Sequence, residues 1–164
     1  MLPKGVLEID DNTKQRLIDA VFLDVSIMLM EFGLLDDMVI AGNKSDNLFG
    51  NIIAIFHESD AAYAAQMALD GQYYAGRKIH VSLSPVARIS SAICYNVLKY
   101  KECQIGNKCM FIHPYEPSPN IFNEVFSRSQ KSYPACFRNS RKKYLDSPVD
   151  ALYGRTKYPA QQNF

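Results

Sequence analysis

Between residues 94 and 113 the chain reads C-Y-N-V-L-K-Y-K-E-C-Q-I-G-N-K-C-M-F-I-H. Cys94, Cys103 and Cys109 offer thiolates and His113 an imidazole, at the spacing C-x8-C-x5-C-x3-H. Soft sulfur ligands with one ring nitrogen suit tetrahedral Zn²⁺. The spacers fit that chemistry: Gly106 and Asn107 tolerate positive φ, as a tight turn between Cys103 and Cys109 requires. A single turn over the three residues before His113 is expected to bring its ring beside Cys109. Thiols bind only when deprotonated, so metal affinity should fall in acid. The competing reading is four unrelated side chains, two of them in a disulfide. The remaining cysteine, Cys136, leaves a poor disulfide framework and points to a reducing compartment.

The residues between the ligands carry a second chemistry. Lys99, Lys101 and Lys108 alternate with Tyr95, Tyr100 and Phe111, and Arg88 stands just ahead of the first cysteine. Rings beside cations are what single-stranded RNA requires, since bases stack on the rings while phosphates meet the charges. The plainer reading packs Phe111 around the metal and leaves the lysines as solvated surface.

Around this stretch, 164 residues provide one or two small domains with a core large enough to fold without disulfides. The formal charge of +1 hides an asymmetry. Residues 1–86 hold 6 Lys/Arg against 12 Asp/Glu, and residues 87–164 hold 12 against 5. The second part therefore suits phosphate and the first repels it. Such a split also favours docking of the two parts on each other. The N-terminus lacks the apolar run of a secretory signal. The run from Val21 to Phe32 is broken by Asp24, Ser26 and Glu31 and is too short to span a bilayer.

The elements that must position the ligands are legible from pattern. Lys4 to Ile9 alternates as a strand; Thr13 to Phe32 is helical, with an acidic, Asn-rich start and Gly33 placed to end it. Leu35 to Ala41 predicts a second strand, residues 42–47 a loop and Leu48 to Phe56 a third strand. Ser59-Asp60 caps a helix over Ala61 to Leu69; Gln72-Tyr73-Tyr74 is extended and Lys78 to Leu83 is the last strand. The order βαββαβ is the ferredoxin-like plan of α+β proteins, shared by the RNA recognition motif (RRM) sandwich. The third strand of such domains reads K/R-G-F/Y-G/A-F-V-x-F/Y. Aligned on Gly50, its stacking places here hold Asn51 and Ile53 and its basic place holds Phe49. This sheet is not equipped to stack bases, and Ile53 and Ile55 would be a wet apolar patch unless covered. The expected cover is a helix with Ser118 and Pro119 at its start and a stripe of Ile121, Phe122, Val125 and Phe126. The predicted division is an RRM-like motif over 5–86, a CCCH finger over 87–116, the covering helix over 117–130 and a basic, extended or disordered arm over 131–164. Arg141-Lys142-Lys143 in the arm suits phosphate contact or nuclear targeting.

A sheet domain without its aromatics running straight into this finger resembles the small-subunit family of the U2 auxiliary factor of pre-mRNA splicing. The residues that carry the resemblance are Asn47-Leu48-Phe49-Gly50-Asn51, Tyr74-Ala75-Gly76-Arg77, Leu83-Ser84-Pro85-Val86 and Cys109-Met110-Phe111-Ile112-His113. It extends from about residue 5 to 128, and the Tyr74–Arg77 and Asn120–Phe126 stretches lean towards the small-subunit-related branch. It implies a homology motif that takes a tryptophan from a large-subunit peptide, and flanking fingers that bind the AG of the 3′ splice site. The docking residues so implied are Phe22, Asp24, Glu31, Tyr73 and Tyr74. Three departures stand out: no finger precedes Gly5, Gln72-Tyr73-Tyr74 replaces the family's Arg-x-Phe, and the family's acidic first helix is here mostly apolar. A docking rim with fewer charges relies more on apolar burial.

The reading that follows is a non-enzymatic, nuclear splicing subunit. It binds pre-mRNA through a Zn²⁺ finger, with Arg88, Tyr95, Lys99, Tyr100, Lys101, Lys108 and Phe111 as contacts, and docks a larger Trp-bearing partner; no membrane is involved. The alternative is a CCCH regulator of mRNA, or a protein-only adaptor whose zinc is structural. His57, His80 and the scattered carboxylates form no nucleophile–base set, and a fully liganded zinc leaves no position for water.

Overall fold

The computed structural model of the chain describes residues 10–85 and 88–129. The strand expected over Lys4–Ile9 and the arm over 131–164 lie outside them. Among the described residues the elements are α1 (Asp11–Met30), β1 (Leu35–Ala41), β2 (Ile52–Phe56), α2 (Ser59–Leu69), β3 (Tyr73–Tyr74) and β4 (Arg77–Lys78). They continue with α3 (Ile89–Ala92), α4 (Tyr95–Tyr100), a 3₁₀ turn (Gly106–Lys108), β5 (Pro114–Tyr115) and α5 (Pro119–Ser129). The result is an α+β arrangement of a three-stranded antiparallel sheet, ordered β2-β1-β5, and a separate β3-β4 hairpin.

Helix α1 begins at Asp11, inside the acidic, Asn-rich start and ahead of the Thr13 expected from pattern. The Asp10 carboxylate accepts from the Thr13 N–H at 3.0 Å and satisfies one of the orphan donors of the first turn. Contacts with Thr13 hold the Asp10 carboxyl below its ordinary value. Beyond the helix, Gly33 is required by close approach, since a Cβ there would lie 2.5 Å from the Ala61 Cβ of α2.

Strand β1 is the centre of the molecule, and period-2 alternation sends its side chains to two different cores. On one face Leu35, Met38 and Ile40 join Phe22, Leu23, Val25, Ile27 and Met30 of α1 and Val125 of α5, with Ile52, Ala54 and Phe56 of β2 alongside. Phe22, Phe122 and Phe126 form a ring cluster with centroids 4.8–6.4 Å apart. On the other face Val39 and Ala41 meet Ile89 and Ile112, flanked by Ile53, Ile55, Ala92 and Ile93.

Three expectations need correction. Helix α5 does pack on the sheet, but on the α1 face; Ile53 and Ile55 are covered by α3 and the finger. The reason is Asp19 of α1, which accepts from the Ser118 N–H and hydroxyl at 2.7 and 2.6 Å and so pins the start of α5 beside α1. Strand β2 begins at Ile52, because residues 48–50 turn: Gly50 sits at φ 77° and its N–H reaches the Ala41 carbonyl at 2.8 Å. Finally, Lys78–Leu83 is not a strand of the main sheet. Arg77–Lys78 instead pairs with Tyr73–Tyr74 across Ala75 and Gly76, both at positive φ as a two-residue hairpin turn requires. The chain then runs beside α2, where the Val81 N–H donates to Asp70 Oδ1 at 2.9 Å.

Candidate metal centre and nucleic-acid interface

The four expected ligands converge. The Sγ atoms of Cys94, Cys103 and Cys109 and a ring nitrogen of His113 all lie within 4.8 Å of one another. Cys94 and Cys109 are buried with sulfurs 3.8 Å apart, and all three thiols are free. The Nε2 of His113 is buried without a hydrogen-bond partner, an arrangement that costs free energy unless a cation meets the lone pair. Burial pushes the Cys109 thiol up. At Cys103 burial acts in the same sense but is outweighed by the N–H groups of Ile105 and Gly106 and by the neighbouring thiols, which pull it down. Three sulfurs, one imidazole and an orphaned nitrogen fit Zn²⁺, with these four residues as its ligands.

Local backbone explains the convergence. Cys94 precedes α4, and Lys101 ends that helix in the left-handed region at φ 61°. Gly106, at φ 63°, opens the turn that returns the chain to Cys109, whose N–H donates to the Gly106 carbonyl. Asn107 follows within the 3₁₀ turn. The expected turn before His113 is an extended stretch with a bend at Phe111. Ile112 pairs with Ile93 in a parallel bridge, its N–H donating to the Ala92 carbonyl and its carbonyl accepting from the Cys94 N–H, both at 2.9 Å. The first and last ligands are thus stitched together by main chain.

Sequence reading missed the residue that docks this finger on the sheet. Asn43, 1 % exposed, donates from Nδ2 to the Phe111 carbonyl and accepts at Oδ1 from the His113 N–H, both at 2.8 Å. Gly42 donates to the His113 carbonyl at 2.6 Å and leaves room for the Tyr115 ring, which a Cβ would meet at 2.7 Å. Only the Gly-Asn pair itself signalled anything in the sequence, and it reads as ordinary turn chemistry.

The expected RNA contacts lie on the finger's surface. Tyr95 and Tyr100 are 64 % and 61 % exposed, and Phe111 is 53 % exposed rather than packed around the ligands. The Lys99 ammonium lies 5.6 Å from the Tyr95 ring centre and 5.1 Å from that of Tyr100, and its contacts with Tyr100 and Tyr95 push its pKa up. Arg88 and Lys108 are exposed. Lys101 is also exposed but shares its charge with Glu116 at 3.5 Å. Met110, Leu98 and Ile105 add exposed apolar surface that the sequence reading did not single out. Of the docking residues, Tyr73 and Glu31 are exposed, Asp24 is half-buried and Tyr74 packs partly buried against the α1 core. Phe22 is 1 % exposed beneath α5, so its ring belongs to the core and not to an open surface.

The fold and the ligand cluster together define a protein with a CCCH zinc finger built onto an α+β sheet. No family model matches the chain. Among curated proteins it is 29 % identical over 119 residues to "Transcriptional regulator of yeast form adherence 2" of Candida albicans, covering 73 % of this chain and 32 % of that one. It is 35 % identical over 107 residues to a U2af small-subunit splicing factor of Arabidopsis thaliana, covering 64 % and 37 %. "Zinc finger CCCH domain-containing protein 5" of the same plant is 28 % identical over 109 residues, or 65 % and 14 %. The chain thus spans about a third of the length of the first two relatives. Over about two thirds of its own length it is similar to the U2AF small subunits. No described helix is long and apolar enough to cross a membrane.

Proposed function

We propose that this chain is a nuclear, non-enzymatic subunit of the pre-mRNA splicing machinery. Its zinc finger binds single-stranded RNA of the 3′ splice-site region, and its RRM-like half docks a larger partner through a Trp-containing peptide. The observation that carries the RNA reading is the finger's surface: exposed rings Tyr95, Tyr100 and Phe111 stand with Lys99 and Lys108 on a loop knotted by four ligands. Aromatic side chains left in water cost free energy unless a ligand covers them, and bases are the flat, anionic-backed partners that rings and ammonium groups fit. The splicing names of the relatives support the choice of RNA. Exposed Tyr73, next to half-buried Tyr74, supports the docking role by offering a ring for an indole. The division of the chain into motif, finger, helix and arm belongs to the same proposal.

The test is equilibrium binding of the full chain to a 3′-splice-site RNA and to its scrambled version. Phe111→Ala should remove a base stack worth about 1–3 kcal/mol and weaken the cognate RNA more than the scrambled one. Lys108→Ala should weaken both alike and lower the salt slope by roughly 0.7. Equal behaviour of the two variants would refute this division of labour.

A further inference from the structure

We propose that Asn43 is a positioning residue for the finger: one amide side chain of the sheet half sets both the ligand His113 and the exposed ring of Phe111. It lies 70 residues from His113 in sequence, yet its two hydrogen bonds bracket Ile112. On one side Nδ2 fixes the Phe111 carbonyl, and on the other Oδ1 fixes the His113 N–H. Between them Ile112 is buried against Val39 and Ala41 of β1. A carboxamide carries a donor and an acceptor on neighbouring atoms, so it satisfies both peptide groups at once. Because Asn43 is itself buried, neither bond is traded for water without opening the interface. From Phe111 to His113 the backbone bends at Phe111 and then runs extended. Its main-chain bonds to Ala92 and Cys94 hold Ile112, while the peptide groups on either side of Ile112, the Phe111 carbonyl and the His113 N–H, are met by Asn43. Metal retention and ring placement are therefore both imposed from β1's loop. The Phe111 half of the inference rests on the proposed RNA function; the His113 half does not.

The experiment compares Asn43→Ala, Asn43→Asp and Val125→Ala in the full chain. Val125 is fully buried in the opposite core, so its truncation supplies a general loss of stability. Three readouts are taken: the rate of zinc release to a colorimetric chelator, the ligand-field spectrum of the Co²⁺-substituted protein, and RNA affinity. Asn43→Ala should speed zinc release about tenfold and shift the cobalt bands, while Val125→Ala leaves both as they are in the parent. Asn43→Asp keeps the acceptor for His113 but sets an oxygen against the Phe111 carbonyl. It should release zinc more slowly than Asn43→Ala and still lose RNA affinity. Should Asn43→Ala fail to fold, the Asp variant decides alone: parent-like zinc release with parent-like RNA affinity overturns the proposal. It is equally overturned if Asn43→Ala and Val125→Ala release zinc at one rate. Zinc effects as expected, with Phe111→Ala and every other variant binding RNA as the parent does, would uphold the His113 role and sink the RNA reading.

Discussion

The two faces of β1 are closed by different physics. Toward α1 and α5 the chain assembles large apolar side chains around Phe22, and burial is the main force that holds them, with the Asp19–Ser118 hydrogen bonds fixing where α5 starts. Toward the finger the shared apolar contact is small: Val39, Ala41, Ile89 and Ile112 with a fringe of isoleucines and an alanine. What completes that side is polar and covalent in character, namely the four-ligand cluster, the Asn43 amide and the Gly42 contact with the His113 carbonyl. A core that grows by area tolerates loss by degrees, whereas one knotted by a metal is all or nothing. The surface proposed to meet RNA sits on the second kind. Its rings remain exposed because ligands, not rings, hold the loop together.

Metal removal is the strongest way to break this contrast. A strong chelator, or Cys109→Ala, should release the finger, since zinc binding supplies on the order of 10 kcal/mol to such small units. Amide hydrogen exchange should then show lost protection at Cys94 and Ile112, whose main-chain bonds bridge the ligands, with α1 and β1–β2 still protected. Equal loss of protection on both sides would mean one cooperative core.

Phe22→Ala is the reverse experiment. Removing a ring that is 1 % exposed and packed on Phe122 and Phe126 should cost about 3–5 kcal/mol, read as a lowered denaturation midpoint. The folded fraction should keep its zinc; release of metal in step with the stability loss would erase the distinction between the two faces.

The smallest effect expected is at the entrance to α1. The Asp10 carboxyl is held below its ordinary value by Thr13, so its contribution to stability is present above that ordinary value. It is lost as the pH falls through the lowered one. Asp10→Ala should therefore be slightly less stable than the parent near neutrality and indistinguishable from it in strong acid. A stability difference that grows on acidification would contradict this, and zinc content should not change at any pH where the finger is loaded.

Much of the chain was readable residue by residue. The ligand set Cys94, Cys103, Cys109 and His113 stood out because metal chemistry demands particular atoms at short spacing. Strand β1 was placed to the residue because a run of apolar and acidic positions is bounded by Gly33 and Gly42. Other features were not local enough to read. Leu48 and Phe49 have strand-forming side chains, yet the backbone bonds around Gly50 turn them. Phe22 was expected as a docking ring from the family resemblance, and a resemblance in sequence does not say what lies on top of a side chain. The cover, α5, is nearly a hundred residues away and is steered there by Asp19.

Composition and spacing alone therefore determined the metal, its four ligands, the cationic and aromatic character of the loop between them, and the acidic character of the other half. These are properties of residue types at short range, where few backbone paths exist. Tertiary structure alone decided which face of the sheet the finger occupies, which rings remain in water, and that a loop asparagine holds the histidine in place. Those outcomes depend on pairings between distant segments, and a hydrogen bond across 70 positions has no period, spacing or composition by which a linear reading could find it.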